Sequence, residues 1–140
     1  MPVTPYLFFN GRCEEALDFY KSTIGAELGM MLRFSDCPEP LDPNMVPPGS
    51  EQRIMHASFM VGDAMLSASD GCPGQPSKFD GFALSLQAGS PTEAERLFAA
   101  LGEGGQVRMP LSKTFFSPSF GMVADKFGVC WMVNVAQAMG

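Results

Sequence analysis

The chain holds a single histidine, His56, inside the apolar run Ile54-Met55-His56-Ala57. An imidazole in such a run has two readings. It is either a half-buried ring bonded to a carbonyl of a neighbouring strand or loop, or a pocket group that donates a hydrogen bond or acts as a general base near neutral pH. Ser67 and Ser69 stand two residues apart and would share one face of a strand. Two hydroxyls among Met, Leu and Ala could orient a ligand; equally, they are small residues tolerated at a crowded spot. Asp70 follows, better placed to cap a loop turn than to titrate in catalysis. Phe115, Phe116, Phe120 and Trp131 form an aromatic set, suited to core packing or to lining a flat ligand, and Trp131 needs a partner for its indole N–H. Of the four cysteines, Cys13, Cys37, Cys72 and Cys130, none forms C-x-x-C or lies near a histidine in sequence. That spacing indicates neither zinc nor a redox pair, and free thiols in a reducing compartment are expected. Cys13 sits near a helix N-terminus, which lowers a thiol pKa, but Glu14 and Glu15 oppose that effect. No base is visible beside Cys13 or Cys130, as a catalytic nucleophile would need. The eleven methionines fall mostly in strand-like runs, as filler or as the lining of an adaptable pocket.

Composition narrows the function classes. The length of 140 residues suits one domain, and 46% hydrophobic residues suffice for a sizeable core. The net charge of −6 comes with no Lys/Arg cluster, so a phosphate backbone would be repelled and nucleic acid is not an expected partner. No apolar run approaches the roughly 18 residues of a membrane span, so no membrane partner is expected. The opening Met-Pro-Val-Thr-Pro resembles no export signal, which makes a cytoplasmic location the expectation.

The elements that must position these residues follow from periodicity. Val3 to Phe9 reads as a buried strand. Glu14 to Ile24 shows helical spacing of Ala16, Leu17, Tyr20 and Ile24, stopped by Gly25. Glu27 to Phe34 is a second strand. Asp36 to Ser50 carries Pro38, Pro40, Pro43, Pro47 and Pro48, a density that excludes ladder or helix and predicts a long irregular loop. Arg53 to Val61 and Ala64 to Ser69 are strands turned at Gly62-Asp63. After a Gly/Pro-rich segment comes a strand at Phe82 to Leu86. A helix follows, started by Ser90, Pro91 and Glu93 as a capping box and ended by Gly102. Gln106 to Phe116, Phe120 to Ala124 and Trp131 to Val135 complete the strands. The order is βαβββ twice: one α+β domain over 1–140, with halves at about 1–70 and 80–140 and a linker at 71–79. Two such halves, each with a helix on its outer face, would leave a concave surface able to hold a ligand.

Three stretches carry a family resemblance: PYLFFNGRCEEALDFYKSTIGAEL at the start, MHASFMVGDAMLSASDG with GFALSLQ in the middle, and TFFSPSFGMVADKFGVCWMVN near the end. Together they resemble the PhnB-like branch of the vicinal-oxygen-chelate superfamily, which includes glyoxalases, bleomycin-resistance proteins and dioxygenases. The resemblance implies paired βαβββ modules around a concave cleft and a symmetric homodimer. Metal-dependent members take His, Glu or Gln ligands from four strand positions. Aligned with that pattern, this chain has Pro5, Ser67, Phe82 and Met132. A hard divalent cation needs oxygen or imidazole ligands, so no metal and no cofactor are expected. Members of the branch often carry a methyltransferase label, yet no glycine-rich strand-to-helix turn for a nucleotide cofactor is visible. The function expected is metal-free binding of a small apolar or aromatic molecule, with Leu7, His56, Ser67, Ser69, Phe82, Leu84, Phe116, Trp131 and Met132 lining the site. The alternative is a lyase or isomerase with His56 as catalytic base or with a displaced metal site.

Overall fold

The computed structural model describes residues 3–38, 49–71 and 78–136. Most of the proline-rich stretch, 39–48, and most of the linker, 72–77, lie outside the described residues, and the loop expectation for them falls there. The chain divides into two compact units, Met1–Ser77 and Lys78–Gly140.

The first unit runs β1 (Tyr6–Phe8), α1 (Cys13–Ile24), β2 (Glu27–Arg33), β3 (Ile54–Val61) and β4 (Ala64–Ser69), with a short 3-10 turn at Phe34–Asp36. Its sheet has the order β1-β4-β3-β2. β1 joins β4 in parallel, and the other pairs are antiparallel. The second unit repeats this with β5 (Leu84–Ala88), α2 (Pro91–Gly102), β6 (Gln106–Ser112), β7 (Phe120–Ala124) and β8 (Cys130–Val135), in the order β5-β8-β7-β6. The fold is α+β, two βαβββ modules each with one helix. β5 begins two residues after Phe82, which precedes the strand and is 49% exposed. β6 stops at Ser112, because Thr114 and Ser117 close a turn there: the Thr114 N–H donates to the Ser117 carbonyl at 2.9 Å, and the Ser117 N–H to Thr114 Oγ1 at 3.0 Å. Phe115 and Phe116 therefore lie in a loop.

Helical spacing of apolar residues decides which face each helix buries. α1 buries Cys13, Ala16, Leu17 and Tyr20. Tyr20 stacks on Phe59 at 6.0 Å between ring centres, so the helix lies on the sheet face that carries Phe59. Gly25 ends α1 in the left-handed region, with φ of 69°, where glycine has no Cβ to clash. α2 buries Ala94, Leu97 and Leu101. It approaches β7 so closely that a Cβ on Gly121 would meet Phe98 Cε2 at 2.8 Å, which explains a glycine in mid-strand. Val123, Trp131 and Val133 complete that core at 0–2% exposure.

The two helices start differently. At α2 the cap is local: Ser90 Oγ accepts from the Glu93 N–H at 3.1 Å, and Pro91 occupies the first turn. Glu93 Oε2 reaches back to the Gly89 N–H at 3.3 Å, one residue before the cap residue that the capping box would use. At α1, Arg12 in the cap position makes no side-chain cap bond. Asp70, from the end of β4, does the work instead. Its Oδ1 accepts from the N–H groups of Gly11 at 2.8 Å and Cys13 at 2.9 Å, and its Oδ2 from Ile54 at 2.8 Å.

Candidate functional site

Cross-strand partners and residues two apart share a sheet face. In the first unit, Tyr6 pairs with Ser67, Phe8 with Ser69, and Ser58 with Ser67. His56, two residues before Ser58 on β3, points the same way. These six residues lie on the face opposite the helix, called here the open face, which Met30, Met60 and Met65 share. Leu7 pairs with Ala68, and Ala68 with Ala57, so Leu7 belongs to the helix side, where it is 1% exposed. The expectation that Leu7 lines a site with Ser67 fails by parity: a shift of one residue reverses the face. Tyr6, absent from the expected set, takes the place beside Ser67 that had been assigned to Pro5.

Tyr6 and His56 meet on this face. Tyr6 Oη lies 3.1 Å from His56 Nδ1, with the ring centres 5.7 Å apart. β4 runs between their two strands. Neighbouring strands are spaced about 4.8 Å apart, so the phenol has to span β4 to reach the imidazole. The β4 residues in register with Tyr6 and Phe8 are the small Ser67 and Ser69, which leave it room. Both serines are buried, at 7% and 4% exposure, whereas Tyr6 is 41% and Phe8 51% exposed. Ser69 Oγ accepts from the Gly71 N–H at 3.1 Å, a structural role at the strand end. The result is a half-open patch with aromatic surface from Tyr6 and Phe8 and polarity from the Tyr6–His56 pair.

The second unit's open face carries Ser85, Gln87, Phe120, Met122, Met132 and Asn134, fixed by the pairs Ser85–Met132, Gln87–Asn134, Met122–Met132 and Phe120–Asn134. Asn134 Nδ2 donates to Ser85 Oγ at 3.1 Å. Phe116 stands edge-on to Phe120 at 5.1 Å, and Phe115 edge-on to Phe116 at 5.2 Å. Leu84 pairs with Trp131 on the helix side, so neither shares a face with Met132. Trp131 is 2% exposed and its indole N–H donates to Asp125 Oδ2 at 2.9 Å. The indole partner that the sequence called for is thus a buried carboxylate. The nine expected lining residues divide into four groups. His56, Ser67 and Ser69 lie together on one open face; Met132, with Phe116 against Phe120, belongs to the second unit; Leu7 and Trp131 are buried on the helix sides of their sheets, with Leu84 half-buried beside Trp131; and Phe82 precedes its strand.

The metal that the resemblance brings into question can be tested against these positions. The residues in register with Ser67 and Met132 on the first strands of the two units are Tyr6 and Ser85. In the first unit Tyr6 and Ser67 offer a phenol and a hydroxyl, and in the second Ser85 and Met132 a hydroxyl and a thioether; none of the four is the imidazole or carboxylate that a hard divalent cation takes. Among the described residues no group of three or more His, Cys, Asp or Glu could hold a metal ion. Cys13 is no nucleophile either. Burial, reinforced by Asp70 and Glu14, pushes its thiol up to about 12.

Comparison with known proteins agrees with the fold. The family described as 3-demethylubiquinone-9 3-methyltransferase matches residues 1–134. The chain is 34% identical to Protein YjdN of Escherichia coli K12 over 142 residues, covering 98% of this chain and 97% of that one. It is 47% identical to the crystal structure of protein PA1353 from Pseudomonas aeruginosa, with a TM-score of 0.83 and 99% of each chain covered. It is 28% identical to a Bacillus cereus PhnB protein described as a putative 3-demethylubiquinone-9 3-methyltransferase, with a TM-score of 0.79, covering 97% of this chain and all of that one. A glyoxylase/bleomycin resistance protein/dioxygenase domain from Frankia, 13% identical with a TM-score of 0.64, shares the fold. The chain therefore belongs to this PhnB-like family described as 3-demethylubiquinone-9 3-methyltransferase, and it has the fold of the glyoxalase/bleomycin resistance protein/dioxygenase domain.

Proposed function

We propose that the chain binds a small, partly apolar or aromatic molecule on the open face of its first unit, without a metal ion, and that His56 supplies the orienting polar contact. The observation that carries this is the Tyr6–His56 pair, half-exposed beside the Phe8 ring. A thermal-shift screen of small aromatic molecules tests it, because a ligand that binds only the folded state raises the melting temperature. Hits should shift the wild type and shift His56→Ala less. Equal shifts in both would refute the role of His56.

Methyl transfer, which the family description suggests, is a poorer fit. A nucleotide-type methyl donor is commonly seated at a strand-to-helix turn beside free N–H groups. Here both helix starts are occupied by the chain's own carboxylates, Asp70 at α1 and Glu93 before α2. The alternative reading, a lyase or isomerase with His56 as base, would need an unprotonated ring nitrogen turned toward the substrate.

A symmetric homodimer is part of the proposal. The edge strands β2 and β6 expose Leu28, Met30, Val107 and Met109 at 44–51%, and apolar sheet edges invite pairing. A cytoplasmic location is supported by the free thiols of Cys13, Cys37 and Cys130. No helix among the described residues is long and apolar enough to cross a membrane. The net charge of −6 speaks against a nucleic-acid partner.

A further inference from the structure

We infer that Tyr6 fixes the tautomer of His56, so that the imidazole meets its ligand as a hydrogen-bond donor through Nε2 and selects molecules presenting an oxygen acceptor, such as an aromatic ketone. This rests on the proposal that the first unit's open face binds a small molecule. Tyr6 Oη and His56 Nδ1 are 3.1 Å apart, and the proton between them can sit on either. A phenol O–H is a stronger donor than the N–H of a neutral imidazole, and an unprotonated ring nitrogen is a stronger acceptor than a phenol oxygen. Tyr6 therefore donates and Nδ1 accepts, which leaves the neutral ring with its proton on Nε2.

The phenol is held for this task. Its backbone is paired with Ser67, and its ring lies against Phe8 at 5.0 Å. Tyr6 acts through His56 and is a positioning residue. The same arrangement decides between the two readings of the site. A general base must turn an unprotonated nitrogen toward its substrate, and the Nε2–H tautomer has none to offer. An acceptor on the ligand, in contrast, meets a ready donor beside an aromatic surface.

The chain has one histidine, so nitrogen-15 correlation spectra of the full-length labelled protein, recorded with the imidazole neutral, report this ring alone. The expected spectrum shows a protonated Nε2 and an unprotonated Nδ1. Tyr6→Phe should give a mixture of tautomers with the rest of the spectrum unchanged. An unprotonated Nε2 in the wild type, or an unaltered tautomer in Tyr6→Phe, would overturn the inference whether or not anything binds. Acetophenone and benzylamine then probe the selectivity. Acetophenone should move the Nε2 signal and bind about three- to tenfold more weakly to Tyr6→Phe, whereas benzylamine should do neither. If the tautomer is as expected but the two probes behave alike, the selectivity is overturned. If acetophenone binds and perturbs only residues of the second unit, the proposed binding face is wrong and the tautomer assignment stands.

Discussion

Strand for strand, β1-β4-β3-β2 of the first unit corresponds to β5-β8-β7-β6 of the second, and the central open-face rows can be compared position by position. Tyr6, Ser67, Ser58 and Met30 form that row in the first unit. Ser85, Met132, Met122 and Met109 form it in the second. One frame thus displays a row rich in hydroxyls beside an imidazole, and a row of three thioethers. Hydroxyls and imidazole orient a ligand through directional bonds, whereas thioethers adapt their shape to whatever lies against them. The buried carboxylates differ too. Asp70 accepts three N–H donors 16 to 59 residues away and ties the end of β4 to the starts of α1 and β3. Asp125 accepts from Phe127 and Val129 in its own turn, and from Trp131 six residues on. Asp70 is a long-range clamp of the first unit, whereas these three bonds of Asp125 are local.

Removing the two clamps should break the comparison most visibly. Asp70→Ala strands three N–H groups at a junction of three elements and should cost about 3–5 kcal/mol of unfolding free energy. Asp125→Ala should cost less, about 2–3 kcal/mol, because the turn can relax and water can reach part of it. Chemical denaturation measures both, and equal losses would show that the span of the clamp is immaterial.

The first unit also carries the alkaline weakness. The folded state raises the Cys13 thiol from 9.0 to about 12. The unfolded chain loses its proton first, so the stabilisation is complete below about pH 9 and is lost as pH rises through about 12. Denaturation midpoints should fall across that window, and Cys13→Ala should flatten the fall. A pH-independent midpoint would contradict the burial of this thiol.

Smaller effects test the open faces. His56→Ala should weaken binding of an acceptor-bearing aromatic molecule by about 0.5–1.5 kcal/mol by calorimetry and leave unfolding nearly unchanged. If stability falls and affinity does not, the imidazole is only structural. Chelator should produce no effect at all on the melting temperature, and metal analysis should find well under one equivalent of zinc, nickel, manganese or iron. Stoichiometric metal would refute the metal-free reading.

The frame was legible in the sequence because its signals are local. Ser90-Pro91 and Gly25 punctuate the helices, Gly62-Asp63 marks the hairpin, and Ala64–Ser69 and Phe120–Ala124 coincide with β4 and β7 as expected. Facing was harder to read. Val3 to Phe9 is apolar on both sides, so alternation could not tell Leu7 from Tyr6, and Leu84 and Trp131 were assigned the face of Met132 for the same reason. Parity depends on register, and register is set by partners far along the chain. Long-range pairs leave no local trace: Tyr6 and His56 are 50 residues apart, and Asp70 caps a helix that begins 57 residues earlier. Tyr6 could have been suspected as the one residue of its strand that combines a ring with a hydroxyl.

The most direct test is to map binding by amide chemical shifts on the full chain, with acetophenone as probe. The largest perturbations should fall on Tyr6, Phe8, His56, Ser58 and Ser67. Perturbations centred on Met109, Met122 and Met132, with these five unmoved, would contradict the account and assign binding to the thioether face.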